Sequence, residues 1–143
     1  MKKVLVLNGP NLSRLDLRNP DHYGSLDYPT ISSLISREGN ELGLDVEIRQ
    51  SDDETQLIHW IHEAADLGLS IIINPAAFTH YSYAIRDALE MVTSRVIEVH
   101  LSNPMAREEF RHTSVVSGVV SGTISGFGVD SYLLALRVIA KDS

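Results

Sequence analysis

Cysteine does not occur among the 143 residues of this sequence. The chain therefore cannot form disulfide bonds, thiolate zinc sites, iron–sulfur clusters or a cysteine nucleophile, and this composition favours a reducing compartment, the cytoplasm. Positive charge is also scarce, since 12 Lys and Arg stand against 19 Asp and Glu and the net charge is -7. This sign opposes binding to a phosphate backbone, so we expect no nucleic-acid partner.

Long hydrophobic runs are missing as well. The apolar stretch behind Lys2 and Lys3 covers only residues 4–7, whereas a membrane-spanning helix needs about 20. We therefore expect no membrane association. Hydrophobic residues nevertheless make up 43% of the chain and charged residues 22%, which is typical of a globular protein. At this length we expect one domain that spans residues 1–143.

Apolar patterns predict five strands that alternate with helices. Thr30 is the candidate N-cap of the first helix, and Ser51 or Asp53 is the candidate for the second. Alternation over short links predicts a parallel sheet covered by helices on both faces. The simplest arrangement is an α/β, flavodoxin-like, doubly wound five-stranded sheet of order 2-1-3-4-5. The strands are predicted at residues 4–7, 44–48, 71–73, 96–101 and 119–125, and the helices at 31–42, 57–65, 84–92, 105–110 and 132–140.

The segment at about 12–29 shows no sustained apolar period. Two prolines, a glycine and several Asp and Asn residues favour irregular structure there. Irregular segments of this length in a small domain are usually functional. We therefore predict a mobile lid loop at about 12–29.

Polar side chains follow three of the predicted strands. Asn8 and Asn11 end the first strand, Asn74 ends the third, and His100 and Ser102 end the fourth. A single asparagine after a strand is most often a turn residue. In a doubly wound sheet, however, ligands bind beyond the carboxyl ends of the strands. Polar groups at three such ends therefore predict a binding site.

Other sites known on this sheet type are excluded by their residues. A phospho-acceptor receiver needs aspartates where Asn8 and Asn74 stand. The spacing of a P-loop, a Gly-x-Ser-x-Gly elbow or a dinucleotide-binding glycine motif does not occur. His59 and His62 are three residues apart but have no third ligand nearby, so we predict a solvated helix face and no metal.

Two residue pairs are candidates for acid–base chemistry. Glu98 and His100 project from the same face of a strand, and a carboxylate beside an imidazole favours the protonated ring of a general acid. A structural ion pair explains this spacing equally well. Arg18 and Tyr23 lie on the predicted lid, where a guanidinium favours the phenolate of a tyrosine whose ordinary pKa is about 10. Solvated loop residues are the alternative for this pair.

Short motifs occur in a characteristic order along nearly the whole chain. They include LNGPNL at 7–12, NPAA at 74–77, EVH at 98–100, AREEFRH at 106–112 and YLLAL at 132–136. In this order they resemble the type II 3-dehydroquinate dehydratases of the shikimate pathway. The resemblance implies a flavodoxin-like subunit, typically assembled as a dodecamer of trimers. It also implies conversion of 3-dehydroquinate to 3-dehydroshikimate by loss of water, without metal or cofactor.

The resemblance assigns a role to each catalytic candidate. Tyr23 takes the C2 proton of the substrate, and Arg18 assists its ionisation and closes over the substrate with it. Asn11 holds the water that stabilises an enolate intermediate. His100 protonates the leaving C1 hydroxyl, and Glu98 orients His100. Acid and base are thus different residues.

The resemblance also implies a substrate-binding set. It comprises the side chains of Asn74, His80 and Arg111, the backbone amides of Leu101 and Ser102, and Asp87, which reaches into the site of a neighbouring subunit. Asp16 departs from the family pattern, where glycine is usual, and we expect its carboxylate to compete for the Arg18 guanidinium.

Two alternatives are less well supported by the residues. The first is a binding module that senses a cyclic hydroxy acid without turnover. The second is a flavin-binding electron-transfer protein, which needs a Ser/Thr-rich phosphate loop where the chain has residues 9–11, Gly-Pro-Asn.

Overall fold

Five parallel strands form one sheet in the computed structural model, which describes residues 1–142. The strand order is 2-1-3-4-5, and every neighbouring pair is parallel, which confirms the predicted fold class. The strands are β1 (Lys2–Asn8), β2 (Leu44–Gln50), β3 (Ser70–Asn74), β4 (Val96–His100) and β5 (Gly122–Ser125).

Five α-helices accompany the sheet in the described part of the chain: α1 (Pro20–Tyr23), α2 (Tyr28–Glu41), α3 (Glu54–Leu67), α4 (Tyr83–Glu90) and α5 (Asp130–Ala140). Asp53 caps α3 as predicted, through a hydrogen bond from the Thr55 N–H to its side chain. The predicted cap of the preceding helix is wrong. Thr30 lies inside α2, and the Asp27 carboxylate accepts its N–H at 3.0 Å. Asp27 is the stronger cap because it precedes a proline in the first turn.

The segment at about 12–29, predicted as an irregular loop, contains short helices. A 3-10 helix spans Leu12–Leu17, and α1 and the start of α2 follow it. Leu12 and Leu15 are buried in the core, which anchors the first part of the segment. Isolated apolar residues of this kind leave no periodic signal, because a single turn is too short to show one. The mobility of the segment stays a prediction.

The last strand and one helix differ from the prediction. Residues Ser117–Val119 form a 3-10 turn, and β5 begins only at Gly122. The valines that suggested an earlier start, Val119 and Val120, pack against the core from outside the strand. The single helix predicted at 105–110 is replaced by two 3-10 turns, Pro104–Ala106 and Glu109–His112.

The core lies on both faces of the sheet. Val4 and Val6 of β1 belong to a cluster that includes residues of α2 and α5, whereas Leu5 and Leu7 belong to a cluster with α3 and α4. All four side chains are completely buried, so β1 has no polar alternation. No helix within residues 1–142 is both long and apolar enough to cross a membrane.

Candidate active site

The carboxyl ends of three strands surround a small cavity. Asn8 and Asn74 are aligned across β1 and β3, and β4 ends beside them at His100. The open volume is about 30 Å³, far below the 300–1,000 Å³ of typical small-molecule sites. Its walls are Leu12, Arg18, Tyr23, Asn74, Ala76, Ala77, His80, His100, Leu101, Ser102, Pro104, Arg107 and Arg111.

Most of the predicted site residues meet at this cavity, namely Arg18, Tyr23, Asn74, His80, His100, Leu101, Ser102 and Arg111. Glu98 lies behind His100. Asn11 and Asp87 are not among the residues that line the cavity. The Asn11 N–H donates to Asp52 Oδ1 at 2.9 Å, and Asp87 is exposed on α4. The roles expected of these two residues stay predictions.

Tyr23 is buried beside two guanidinium groups. Arg18 Nη2 donates a hydrogen bond to the Tyr23 hydroxyl oxygen, and the guanidinium carbon of Arg18 lies 3.9 Å from the centre of the Tyr23 ring. The guanidinium carbon of Arg107 lies 4.8 Å from the same ring. Two guanidinium groups therefore contact the ring of this phenol.

The prediction that Asp16 competes for the Arg18 guanidinium is wrong. Its carboxylate forms a two-pronged pair with Arg14, with Nε–Oδ1 and Nη2–Oδ2 distances of 3.2 Å. Arg18 is therefore left to Tyr23. Burial lowers the pKa of Arg18, and the positive charges of Arg107 and Arg111 lower it further.

Arg107 is the main cavity residue that sequence reasoning missed. Its side chain is 9% exposed, and Nη1 donates to Ser102 Oγ at 3.2 Å. It is also one of the two cations beside Tyr23. The available signal was its place in the AREEFRH motif, four residues before Arg111.

His100 and Glu98 form a buried pair at the end of β4. His100 Nε2 lies 2.5 Å from Glu98 Oε2, and the two residues are 8% and 2% exposed. Ser117 Oγ donates to Glu98 Oε1 at 2.6 Å, and Ser114 Oγ lies 3.4 Å from the same oxygen. Within residues 1–142 the other ring nitrogen of His100, Nδ1, has no hydrogen-bond partner. The pair thus leaves one nitrogen of a cavity-lining imidazole for a ligand.

His80 is held in one tautomer. Its Nδ1 donates to the Thr113 carbonyl oxygen at 2.8 Å, because a carbonyl only accepts. The Phe110 ring packs edge-on against it, with ring centres 5.9 Å apart. Burial lowers the pKa of His80, which favours the neutral ring. A neutral ring with its proton on Nδ1 presents Nε2 as an acceptor, which suits a hydroxyl group of a ligand.

Asn74 is fixed by neighbours on two sides. Its Oδ1 accepts the Ala76 N–H at 3.1 Å, and its Nδ2 donates to the Tyr132 hydroxyl at 3.0 Å. Ala76 has a φ of 54°, a left-handed conformation that is uncommon for a residue other than glycine. Such strain is concentrated at functional sites. Tyr132 was not predicted to have any part in the site.

The exposed histidines of α3, His59 and His62, are not among the residues that line the cavity. The ring centres of His59 and His62 are 6.2 Å apart. In residues 1–142, no group of three or more His, Asp or Glu side chains is arranged to hold a metal ion.

The fold and the cavity together define a class of protein. It is a flavodoxin-like α/β domain with a polar, cation-rich cavity at the carboxyl edge of its sheet, where ligands of such sheets bind. The sequence model of one family, described as Dehydroquinase class II, matches residues 2–140. The chain belongs to this family.

Individual relatives agree with this assignment over nearly the full chain. The 3-dehydroquinate dehydratase of Salinispora tropica is 55% identical over 138 residues, which are 96% of each protein. That of Dictyoglomus turgidum is 56% identical over 139 residues, 97% of this chain and 96% of its own. The crystal structure of type II dehydroquinase from Propionibacterium acnes is 52% identical, with a TM-score of 0.97 and coverage of 99% of this chain and 98% of that one. The resemblance inferred from the motifs is confirmed.

Proposed function

We propose that this chain acts as a type II 3-dehydroquinate dehydratase, a hydro-lyase that converts 3-dehydroquinate to 3-dehydroshikimate. Membership of the family and relatives of that name with 55% and 56% identity support the activity. One observation supports the proposed chemistry. An arginine-bound tyrosine and a carboxylate-bound histidine line the same cavity.

Tyr23 is the proposed base. It removes the proton from C2 of the substrate, and the electrons of the C–H bond move onto the adjacent ketone oxygen to give an enolate. A tyrosine performs this step only as phenolate. The guanidinium groups of Arg18 and Arg107, which both contact the ring, are proposed to stabilise that anion.

His100 is the proposed acid. The enolate electrons form the C1–C2 double bond as the C1–O bond breaks, and the departing hydroxyl takes a proton from the imidazole to leave as water. Glu98 holds the ring through Nε2, so the proton given up is the one on Nδ1. The two serine hydroxyls on Glu98 keep its carboxylate in place.

The remaining predicted residues are proposed to bind and orient the substrate. Asn11 holds the water that stabilises the enolate. The hydrogen bond from the backbone N–H of Asn11 to Asp52 fixes this residue just before the 12–29 segment. His80 and Arg111 bind hydroxyl groups of the ring. The Asn74 side chain and the amides of Leu101 and Ser102 complete the set, the amides taking the substrate carboxylate.

The 12–29 segment is proposed to open for the substrate and to close during the reaction. The open volume of about 30 Å³ is far smaller than that of typical small-molecule sites, so admission of the substrate is proposed to need a wider cavity. Arg18 and Tyr23 lie on this segment and form part of the wall. Moving them outward is the simplest way to admit the substrate, and closure then excludes water.

The active form is proposed to be a homo-oligomer, a dodecamer built from trimers. Asp87 is exposed on α4 and lines no part of its own cavity, which suits a residue that completes the site of a neighbour. Met91, just after the same helix, is 60% exposed, as expected of an apolar contact surface. Sedimentation of an active but monomeric protein would contradict this assembly.

The test is turnover of 3-dehydroquinate, followed by the ultraviolet absorbance of the conjugated enone product. Replacing Tyr23 by Phe is expected to lower kcat by a factor of about 10² to 10⁴ with little change in KM. Tyr81→Phe is the matched control, because that tyrosine is 58% exposed and lies outside α4, and it is expected to keep full activity. Substrate binding by the wild-type protein without any rise in absorbance would identify a sensor instead.

His100→Ala and Arg18→Ala separate the two halves of the mechanism. Loss of the acid is expected to lower both turnover and affinity, since the imidazole also contacts the substrate. Loss of Arg18 is expected to lower kcat much more than affinity, because it acts on the charge of Tyr23. Unchanged kinetics in either variant would remove that residue from its role.

A further inference from the structure

A row of three buried polar side chains runs from β1 to the cavity wall. The Tyr132 hydroxyl donates to Asn8 Oδ1 at 2.6 Å and accepts from Asn74 Nδ2 at 3.0 Å. Asn8, Asn74 and Tyr132 are 1%, 3% and 2% exposed. Tyr132 lies on α5 and is not one of the residues that line the cavity, whereas Asn74 is.

The backbone at both ends decides the direction of every hydrogen bond in this row. The Ala76 N–H donates to Asn74 Oδ1, so the oxygen of that amide must face Ala76. Asn8 Nδ2 donates to the Arg49 carbonyl at 3.4 Å, so the oxygen of the second amide must face Tyr132. Turning either amide over places two donors or two acceptors against each other. Between them, the phenol can only accept from Asn74 and donate to Asn8.

The phenol is suited to this double task. Burial raises the pKa of Tyr132 well above its ordinary value, so the hydroxyl keeps its proton and can donate and accept at once. An apolar side chain of the same shape fills the same space in the core but leaves Asn8 Oδ1 and one Asn74 N–H buried without a partner. Unpartnered polar groups of this kind are unfavourable, and they relax by moving.

Asn74 keeps only part of its hydrogen-bonding capacity. An amide side chain offers two N–H donors and two acceptor sites. The Tyr132 hydroxyl and the Ala76 N–H occupy one of each. We propose that Tyr132 is a positioning residue for the reaction: its hydroxyl holds the Asn74 amide so that the remaining N–H binds an oxygen of the substrate. This inference rests on the substrate-binding role proposed for Asn74.

The first experiment is Tyr132→Phe in the full chain, with steady-state kinetics on 3-dehydroquinate. KM is expected to rise about five- to tenfold while kcat stays within about twofold, because the lost interaction is made equally in the ground and transition states. Ile139→Val is the control. It shortens another completely buried side chain on α5, and it is expected to lower the unfolding midpoint without changing KM.

A double-mutant cycle shows whether Tyr132 acts through Asn74. In an Asn74→Ala background, the effect of Tyr132→Phe on KM is expected to fall below about twofold. The inference is overturned if Tyr132→Phe raises KM by the same factor in both backgrounds. If Asn74→Ala alone leaves KM unchanged, the failure lies in the binding role proposed for Asn74.

A measurement without substrate tests the positioning by itself. Hydrogen exchange of the Asn74 side-chain amide, identified by its absence from the Asn74→Ala spectrum, is expected to be at least about ten times faster in Tyr132→Phe and unchanged in Ile139→Val. Equal exchange in Tyr132→Phe and the wild-type protein overturns the inference whether or not the enzyme turns over. Should Tyr132→Phe fail to fold, Asn8→Ala leaves the hydroxyl in place but removes the acceptor that orients it, so a smaller increase in the exchange rate is expected and unchanged exchange overturns the inference.

Discussion

Gly9 lies where the turns after β1 and β3 touch. Its N–H donates to the Asn74 carbonyl at 2.8 Å, which holds the two turns together. A Cβ added at Gly9 would stand 2.6 Å from the Pro75 oxygen, 2.8 Å from the Pro75 carbonyl carbon and 3.2 Å from the Asn74 oxygen. All three atoms are backbone, so no side-chain rotation relieves the clash. Gly9→Ala must therefore move one turn away from the other.

The size of the effect follows from these distances. A carbon–oxygen contact without strain needs about 3.3 Å or more, so the turns must separate by about 0.7 Å. Overpacking against backbone belongs at the upper end of the usual range, and we expect a loss of about 3 kcal/mol in the free energy of unfolding. The same displacement moves Asn74 within the cavity wall. Since a misplacement of about 1 Å lowers catalysis by roughly 10²-fold, we expect kcat/KM to fall about 30- to 100-fold.

The assay combines urea unfolding with turnover of 3-dehydroquinate. Gly122→Ala serves as the control, because a Cβ there meets no atom within 4 Å, and both quantities are expected to match the wild-type protein. The predicted clash at Gly9 is refuted if the free energy of unfolding of Gly9→Ala lies within about 0.5 kcal/mol of the wild-type value and its kcat/KM within about twofold.

Three further changes follow from the structure. In Glu98→Gln the side chain has one acceptor oxygen, whereas Ser117 and His100 each donate to a different oxygen of the native carboxylate. We expect kcat to fall about 10²-fold and the free energy of unfolding to fall by about 2 kcal/mol. Wild-type kinetics would contradict the positioning of His100 by Glu98. The lowered pKa of His80 means that the unfolded chain binds a proton before the folded chain does, so stability is lost as the pH falls below about 6.5. His80→Gln is expected to lack this pH-dependent loss of stability. Parallel curves of unfolding free energy against pH for the two proteins would refute the contribution of His80. Ser82→Ala removes the N-cap of α4 and is expected to lower stability by about 1 kcal/mol without changing kcat, a result that chemical unfolding and turnover together check.

Much of the fold was predictable because local patterns carry it. The uninterrupted apolar residues of β1 report burial on both faces, and the alternation of strands and helices leaves few allowed topologies. The errors occurred where the local pattern is weak. A single 3-10 turn around Leu12 and Leu15 has too few residues to show a period, and the valines at 119–120 contact the core without joining the sheet.

The candidate site was predictable where one strand end or one motif carries it. Glu98 and His100 share a face because strand residues alternate, and their contact at 2.5 Å follows from that spacing. Contacts between distant parts of the chain were not predictable. Tyr132 reaches Asn8 across 124 positions, and nothing in the sequence pattern distinguishes its hydroxyl from that of a tyrosine in an apolar core.

The amino-acid sequence by itself determined the alternation of strands and helices, the parallel sheet and the polar residues at the carboxyl ends of its strands, because hydrophobic periodicity is a local property. Only the tertiary structure decided that Arg107 stands beside Tyr23, that Asp16 pairs with Arg14, and that a tyrosine on the last helix holds Asn74. These contacts depend on how helices and turns pack against the sheet, and packing depends on the shapes of all the buried side chains together.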